Sequence, residues 1–314
     1  MDDDHGRFVW YELMTTDVAA AKAFYGDVVG WSAQDASTKD FAYTVFIAGG
    51  SPVCGLMELP LEGWKMGARP RWAGYVAVAD VDASAARLKG LGGTVYVPPT
   101  DSNIGRIAVV ADPQTADFAL IEGLKLPSGT GREGGVGWHE LSAADWQTAF
   151  AFYGDLFGWQ KAETEAAGAT DFYQLLAVGG RTIGGMFSKL PRASYPPFWQ
   201  YYFNVADVGV AAKRVKAGGG RILQGPVDMQ DGSSIIRCAD PQGAIFALQG
   251  ARSERDSGQP AATEVGWAAE WGGFASRGRL VSTPKSRESS HDDTRVQSRS
   301  SPKSQDAAPA KPKR

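Results

Sequence analysis

Glu12 and Glu140 are the residues whose type and setting most invite chemistry. Each lies in a short apolar run, Trp10-Tyr11-Glu12-Leu13 and Trp138-His139-Glu140-Leu141. A carboxyl group on the wall of an apolar cavity has its pKa pushed up and can give or take a proton near neutrality. The same residue can equally be structural, paired with an arginine or capping a backbone amide. The chain has only three histidines, and His5 and His291 lie in terminal segments. That leaves His139 as the imidazole available as a base or a metal ligand. Glu58 is a further candidate ligand.

The elements that must position these residues come from an internal repeat. Phe24-Tyr25-Gly26-Asp27 returns as Phe152-Tyr153-Gly154-Asp155, and Gly30-Trp31 as Gly158-Trp159. Pro70-x-Trp72, Ala79-Asp80-Val81, Asp112-Pro113-Gln114 and Phe118-Ala119-Leu120 also recur, all at offsets of 127 or 128. Seven matching blocks at a near-constant offset define a tandem duplication. The expected layout is an extension over 1–6, copies over 7–123 and 135–250, a Gly/Ser-rich linker over 124–134, and a tail from 251 to 314. Within copy one, a strand over Phe8–Met14 leads into a helix starting at Thr16-Asp17, followed by apolar stretches 42–47 and 53–59. A second strand over 72–79 leads into a helix starting near Asp82, then strands near 94–97, 106–111 and 118–121. Each copy is thus two βαβββ units. The fold class is α+β: two tandem domains, each a cupped mixed sheet with helices on the outer face and a trough inside, where a ligand would sit.

Alternation along a strand assigns the faces. Leu13 and Leu141 belong against the following helices, which puts Tyr11 and His139 on that side. Trp10, Glu12, Trp138 and Glu140 then point into the troughs. A one-residue shift in register would exchange His139 for Glu140. Trp72, Trp199, Tyr43, Tyr173 and Tyr201 complete the expected aromatic wall for a flat or apolar molecule, while Trp31 and Trp159 read as core.

The strand–helix–Phe-Tyr-x-x-x-x-Gly-Trp pattern with its Asp-Pro hairpins resembles the vicinal oxygen chelate superfamily, which includes glyoxalase, bleomycin resistance proteins and extradiol dioxygenases. The resemblance covers about residues 7–250. It implies a test for a divalent metal, because metal-dependent members place His, Gln or Glu on the first and last strands of the units. The matching positions hold Trp10, Ala73 and Phe118-Ala119-Leu120 in copy one, with Glu58 the remaining candidate. In copy two they hold Trp138, Gln200 and Phe246-Ala247-Leu248, with Ser188 near the Glu58 position. Neither set makes a His/Glu quartet, so the expectation is no cofactor, the alternative being a divalent ion bound with His139 or Glu58.

Other classes are excluded or disfavoured. No apolar run spans a membrane, the acidic N-terminus MDDDHGRF lacks a secretory core, and Cys54 and Cys238 cannot build a disulfide framework. Gly92-Gly93 and Gly218–Gly220 follow helices and read as helix stops rather than phosphate loops. Ser233-Ser234 lacks the setting of a nucleophile elbow. The formal net charge is −3. Residues 251–314 hold 12 Lys and Arg against 8 Asp and Glu, a net of +4, which leaves −7 on the body. The tail from 276 is too polar to bury a core and is expected to be disordered. An aromatic island at 265–274 precedes it. The expected protein is cytoplasmic and binds a small molecule, with no membrane or specific nucleic-acid partner and at most weak polyanion contact through the tail. Three functions stay open: a metal-free binder with Glu12 and Glu140 fixing a polar group; a glyoxalase-like lyase or isomerase, or an oxygenase, using a metal in one trough; and an interaction scaffold with a basic tail.

Overall fold

Each of the four units opens with a strand that runs into an aspartate-capped helix. Strands β1 (Phe8–Thr15) and β9 (Val136–Ala143) precede helices α1 (Val18–Val29) and α4 (Trp146–Phe157). Strands β5 (Arg71–Ala77) and β13 (Phe198–Asp207) precede α3 (Val81–Gly90) and α5 (Val208–Ala217). The caps are Asp17, Asp145, Asp80 and Asp207, each accepting from a first-turn amide at 2.7–2.9 Å. The second helix therefore starts at Asp80, two residues before the expected Asp82. Gly30 and Gly158 end α1 and α4 in the left-handed conformation, a backbone state glycine adopts without steric cost.

The computed structural model describes residues 4–65, 67–124, 133–162, 173–190, 193–229 and 232–253. The aromatic island and the basic tail lie outside the described residues. Each copy adds three strands per unit: β2 (Ser32–Asp35), β3 (Thr44–Ala48) and β4 (Ser51–Glu58), then β6 (Thr94–Asp101), β7 (Arg106–Ala111) and β8 (Asp117–Glu122). Copy two repeats this with β10 (Gln160–Ala162), β11 (Tyr173–Val178), β12 (Arg181–Ser188), β14 (Arg221–Asp228), β15 (Ser234–Ala239) and β16 (Ile245–Ala251). A short helix α2 (Leu61–Lys65) joins the units of copy one. The sheets have the matching orders β2-β3-β4-β1-β5-β8-β7-β6 and β10-β11-β12-β9-β13-β16-β15-β14. In each, the first strands of the two units pair antiparallel at the centre, and the last strand of each unit runs parallel beside its own first strand.

The faces that carry the helices meet in one shared core. Leu13, Tyr25, Trp72, Leu141, Tyr153 and Trp199 all belong to it. The contacts between copies are reciprocal. Tyr25 donates to Asp240 and Tyr153 to Asp112, both at 3.1 Å. Trp31 donates to the Gly134 carbonyl and Trp159 to the Gly6 carbonyl, both at 2.7 Å. The recurring Phe-Tyr and Asp-Pro-Gln blocks are thus the two halves of one duplicated contact. Each Asp also closes its own turn, accepting from the backbone of Gln114 and Ala116, or of Gln242 and Ala244. The troughs occupy the opposite faces, each directed away from the other copy, and contain two separate apolar clusters.

Candidate functional site

At the floor of trough one, Glu12 is buried beneath three aromatic side chains. Tyr43 donates to its Oε1 at 2.7 Å and Tyr75 to its Oε2 at 2.6 Å. Trp10 Nε1 donates to the Tyr43 hydroxyl at 3.1 Å. The register makes this arrangement possible. Trp10 pairs with Tyr75 and Glu12 with Ala73 across β1–β5, so all four share a face. On the other side Glu12 pairs with Gly55 of β4. A methyl group at Gly55 would overlap the Tyr43 hydroxyl, so glycine there lets the ring lie over the strand and reach the carboxylate. Burial pushes the Glu12 carboxyl above its ordinary range, and the two hydroxyl donors pull part of the way back.

Trough two repeats the cluster. Tyr173 donates to Glu140 Oε2 at 3.0 Å, Tyr202 to Oε1 at 2.9 Å, and Trp138 Nε1 to the Tyr173 hydroxyl at 3.1 Å. Gly185 lies under Tyr173 as Gly55 lies under Tyr43. The surroundings differ. Gln200 stands where copy one has Ala73, directly opposite Glu140, and Arg237 stands where copy one has Val109. Arg237 Nε donates to Gln200 Oε1 at 2.9 Å, and its guanidinium lies over Phe198, 5.0 Å from the ring centre. Burial lowers the Arg237 pKa, while the negative charge of Glu140 works against that. A cavity of about 10 Å³, lined by Tyr202, Val227, Ile235 and Arg237 among others, remains.

Among the expected wall residues, Trp10, Tyr43, Trp138 and Tyr173 lie in the troughs. Trp72, Trp199 and Tyr201 do not: they face the core between the copies. Trp72 donates to the Tyr25 hydroxyl and Trp199 to the Tyr153 hydroxyl, both at 2.9 Å, and Tyr201 accepts from the Gly74 amide at 2.7 Å. The alternation Trp72-x-Gly74-x-Val76-x-Val78 carries the signal, since Val76 and Val78 share the core face with Trp72. Tyr75 and Tyr202, one residue on, take the trough positions instead.

His139 lies on the core side. Its Nδ1 is 2.6 Å from the Ile183 carbonyl, which can only accept, so Nδ1 carries the proton. Nε2 therefore accepts from the Tyr11 hydroxyl at 2.6 Å. The ring stacks on Phe8, with centres 4.5 Å apart, and burial lowers its pKa to about 4. This residue cannot ligate a metal in trough two. Glu58, exposed at the end of β4, shares strand parity with Cys54 and Leu56 of the shared core. It lines an open hollow of about 460 Å³ with Thr16, Leu61 and Trp64, away from Glu12. Both candidate ligands thus fall outside the troughs. Among the described residues each trough has one glutamate, whose two oxygens each already accept a tyrosine hydroxyl. The described residues form no group of three His, Cys, Asp or Glu side chains placed to hold a metal ion. This donor set does not fit a divalent ion, which wants several imidazole or carboxylate ligands.

A duplicated trough built on paired βαβββ units defines the class. The chain belongs to the Glyoxalase/Bleomycin resistance protein/Dioxygenase superfamily, whose family model matches residues 7–120 and again 135–248. It is 31% identical over 244 residues to the Mycobacterium tuberculosis protein named "Putative glyoxylase CFP32", covering 76% of this chain and 92% of that one. It is 38% identical over 117 residues to "Anthracycline biosynthesis protein DnrV" of Streptomyces peucetius, covering 37% of this chain and 42% of the relative. Among solved structures, the Mn(II)-bound glyoxalase of Novosphingobium aromaticivorans superposes with a TM-score of 0.55 at 20% identity, over 80% of this chain and 83% of that one. An extradiol ring-cleaving dioxygenase from B. fuscum gives 0.56 at 17% identity, over 82% and 75%. At these identities the structural likeness concerns the fold. No helix among the described residues is long and apolar enough to cross a membrane.

Proposed function

We propose that this protein binds an apolar or aromatic small molecule in its troughs, without a metal ion. The observation that carries the reading is the repeated Trp–Tyr–Glu–Tyr cluster, with one carboxylate and no imidazole per trough among the described residues. Aromatic side chains supply most of the favourable contact area for a flat ligand. Glu12 and Glu140 fix its polar group, each held in place by two hydroxyl donors. Trp10, Tyr43, Trp138 and Tyr173 form the aromatic part of the two walls, joined by Tyr75 and Tyr202. The cell compartment that suits this reading is the cytoplasm.

A second reading, a glyoxalase-like lyase or an oxygenase, draws on the names of the relatives. The raised pKa of Glu12 favours a proton-transfer role within it, because a buried neutral carboxyl can act as an acid. Metal analysis of the purified full chain, alongside titration of Trp fluorescence with small aromatic compounds, separates the two. The binding reading expects well below one equivalent of Fe, Mn, Ni or Zn and saturable quenching. Stoichiometric metal whose removal abolishes a turnover reaction would replace it with the enzyme reading.

A further inference from the structure

Gln200 is the residue of trough two that its surroundings leave unfinished. The side chain is 3% exposed. Its carbonyl oxygen accepts from Arg237 Nε, which fixes the amide orientation. Its Nε2 is left with no hydrogen-bond partner. Gln200 lies directly opposite Glu140 on the trough face. A buried amide donor without an acceptor costs free energy, and such a group is retained at little benefit unless something completes it. Copy one shows that the scaffold does not require this donor. The equivalent residue there is Ala73, and Val109 replaces Arg237.

We infer that trough two, and not trough one, selects ligands that carry a carbonyl or carboxylate oxygen, which accepts from Gln200 Nε2. The inference rests on the trough reading above and adds the polar group that the ligand must present. The space left beside Arg237 is only about 10 Å³, so the aromatic body of the ligand displaces the closed wall of Trp138, Tyr173 and Tyr202 as it binds. Its oxygen takes the place opposite Glu140, whose own two oxygens accept from Tyr202 and Tyr173. Arg237 acts as a positioning residue: its Nε holds the Gln200 amide so that NH2, rather than C=O, is presented to the ligand. A site built around a donor rejects an analogue that lacks the acceptor, because the donor is then buried unpaired.

Two probes of equal shape test this in the full chain: 2-acetylnaphthalene, which carries the acceptor, and 2-ethylnaphthalene, which does not. Calorimetric titration of the wild type should show the ketone binding at least about tenfold tighter, with one strong site per chain. Gln200→Glu keeps an acceptor for Arg237 Nε and replaces the donor with an oxygen, so the ketone preference should vanish while ethylnaphthalene still binds. Gln200→Leu should give the same loss of preference, and it serves if the charged variant is poorly folded. Grafting Ala73→Gln with Val109→Arg into copy one should add a second ketone-selective site. Equal binding of both probes to the wild type would overturn the inference and leave the trough reading standing, since a water molecule would then be completing Gln200. A ketone preference that survives both substitutions would also overturn it. Failure of either probe to bind the wild type would overturn the trough reading and this inference together.

Discussion

The two troughs are copies of one design that have been finished differently. Both hold a glutamate between two tyrosines, with a tryptophan behind one of them. In trough one the remaining wall is apolar, with Ala73, Val109 and Ile121. No described cation figures among the groups that act on Glu12, and burial raises its pKa. In trough two Arg237 and Gln200 enter the same wall, and the arginine feels the charge of Glu140. The hydroxyl-bound glutamate persists in both settings. What distinguishes one trough chemically from the other is a pair of substitutions on the neighbouring strands. The helix-side core diverges too: Tyr11 faces His139, and Gly74 makes room for Tyr201, its own counterpart.

The largest expected effect breaks the comparison at that last pair. A Cβ at Gly74 would lie 2.7 Å from the Tyr201 ring and 2.8 Å from Phe8. Tyr201→Gly empties a fully buried aromatic site and should cost about 4 kcal/mol in urea unfolding. Gly74→Tyr alone should cost about 3 kcal/mol or more through overpacking. The double swap should recover a good part of both losses, because the ring then enters the same space from the other copy. Additive losses would show that the two positions do not share that space.

The Tyr11–His139 pair gives the next effect, and its sign follows from burial. The unfolded imidazole takes up its proton in the ordinary histidine range, and the folded one only near pH 4. The unfolded state thus binds the extra proton between those values, and the stabilising contribution of neutral His139 is lost as pH falls through that window. The loss should reach about 3 kcal/mol by pH 4. Asp112, Asp240 and Glu12 have raised pKa values and tilt the profile the opposite way. They are common to the wild type and to His139→Gln, so the difference between the two curves isolates the histidine. That difference should narrow as pH falls from 7 to 4. Parallel curves would mean that His139 ionises freely in the folded state.

Substituting the two glutamates sharpens the comparison of the troughs themselves. Glu12→Gln removes a buried charge that no cation compensates. Because the folded pKa is raised, the penalty from Glu12 is present above it and fades as pH falls through the carboxyl range. The variant should therefore match or exceed the wild type at pH 8 and lose that advantage at pH 4. Glu140→Gln instead takes the negative charge away from half-buried Arg237 and should cost about 1–3 kcal/mol at pH 8. Equal effects of the two changes in thermal unfolding would mean that Arg237 does not distinguish the troughs.

Much of this architecture was legible from the repeat alone. Matching blocks at a constant offset located both copies, and alternation in β1 and β9 placed Trp10, Glu12, Trp138 and Glu140 on the trough face. The same rule applied along β5 and β13 would have sent Trp72, Trp199 and Tyr201 to the core. Expecting them on the wall gave weight to their being aromatic rather than to their parity with Val76 and Val205. The reciprocal Tyr–Asp contacts were less accessible, because they join blocks 215 and 41 residues apart in sequence. Nothing local says that the helix face of one copy is the lid of the other. The role of Arg237 was hidden for a related reason: its strand position has no charged counterpart in copy one, so a search for matches passes over it.

The smallest effect compares the copies at their outer hairpins. In copy one Arg106 bridges Asp82 and Asp101 at 2.7 and 2.9 Å. In copy two the equivalent residue is Ser234, buried, donating to Asp228 at 2.5 Å. Both aspartates at Arg106 are well exposed. Exposed ion pairs contribute little because water screens them and two flexible side chains must be held still. Arg106→Ser, which installs the copy-two residue, should lower the melting temperature only slightly. Most of that loss should disappear in 0.5 M salt, where charges at the surface are screened within a few ångströms. Ser234→Ala should respond differently, since it removes a buried hydroxyl donor: about 1 kcal/mol, unchanged by salt. A large, salt-independent drop in melting temperature at Arg106 would show that the copy-one hairpin depends on its ion pairs in a way that the copy-two hairpin does not.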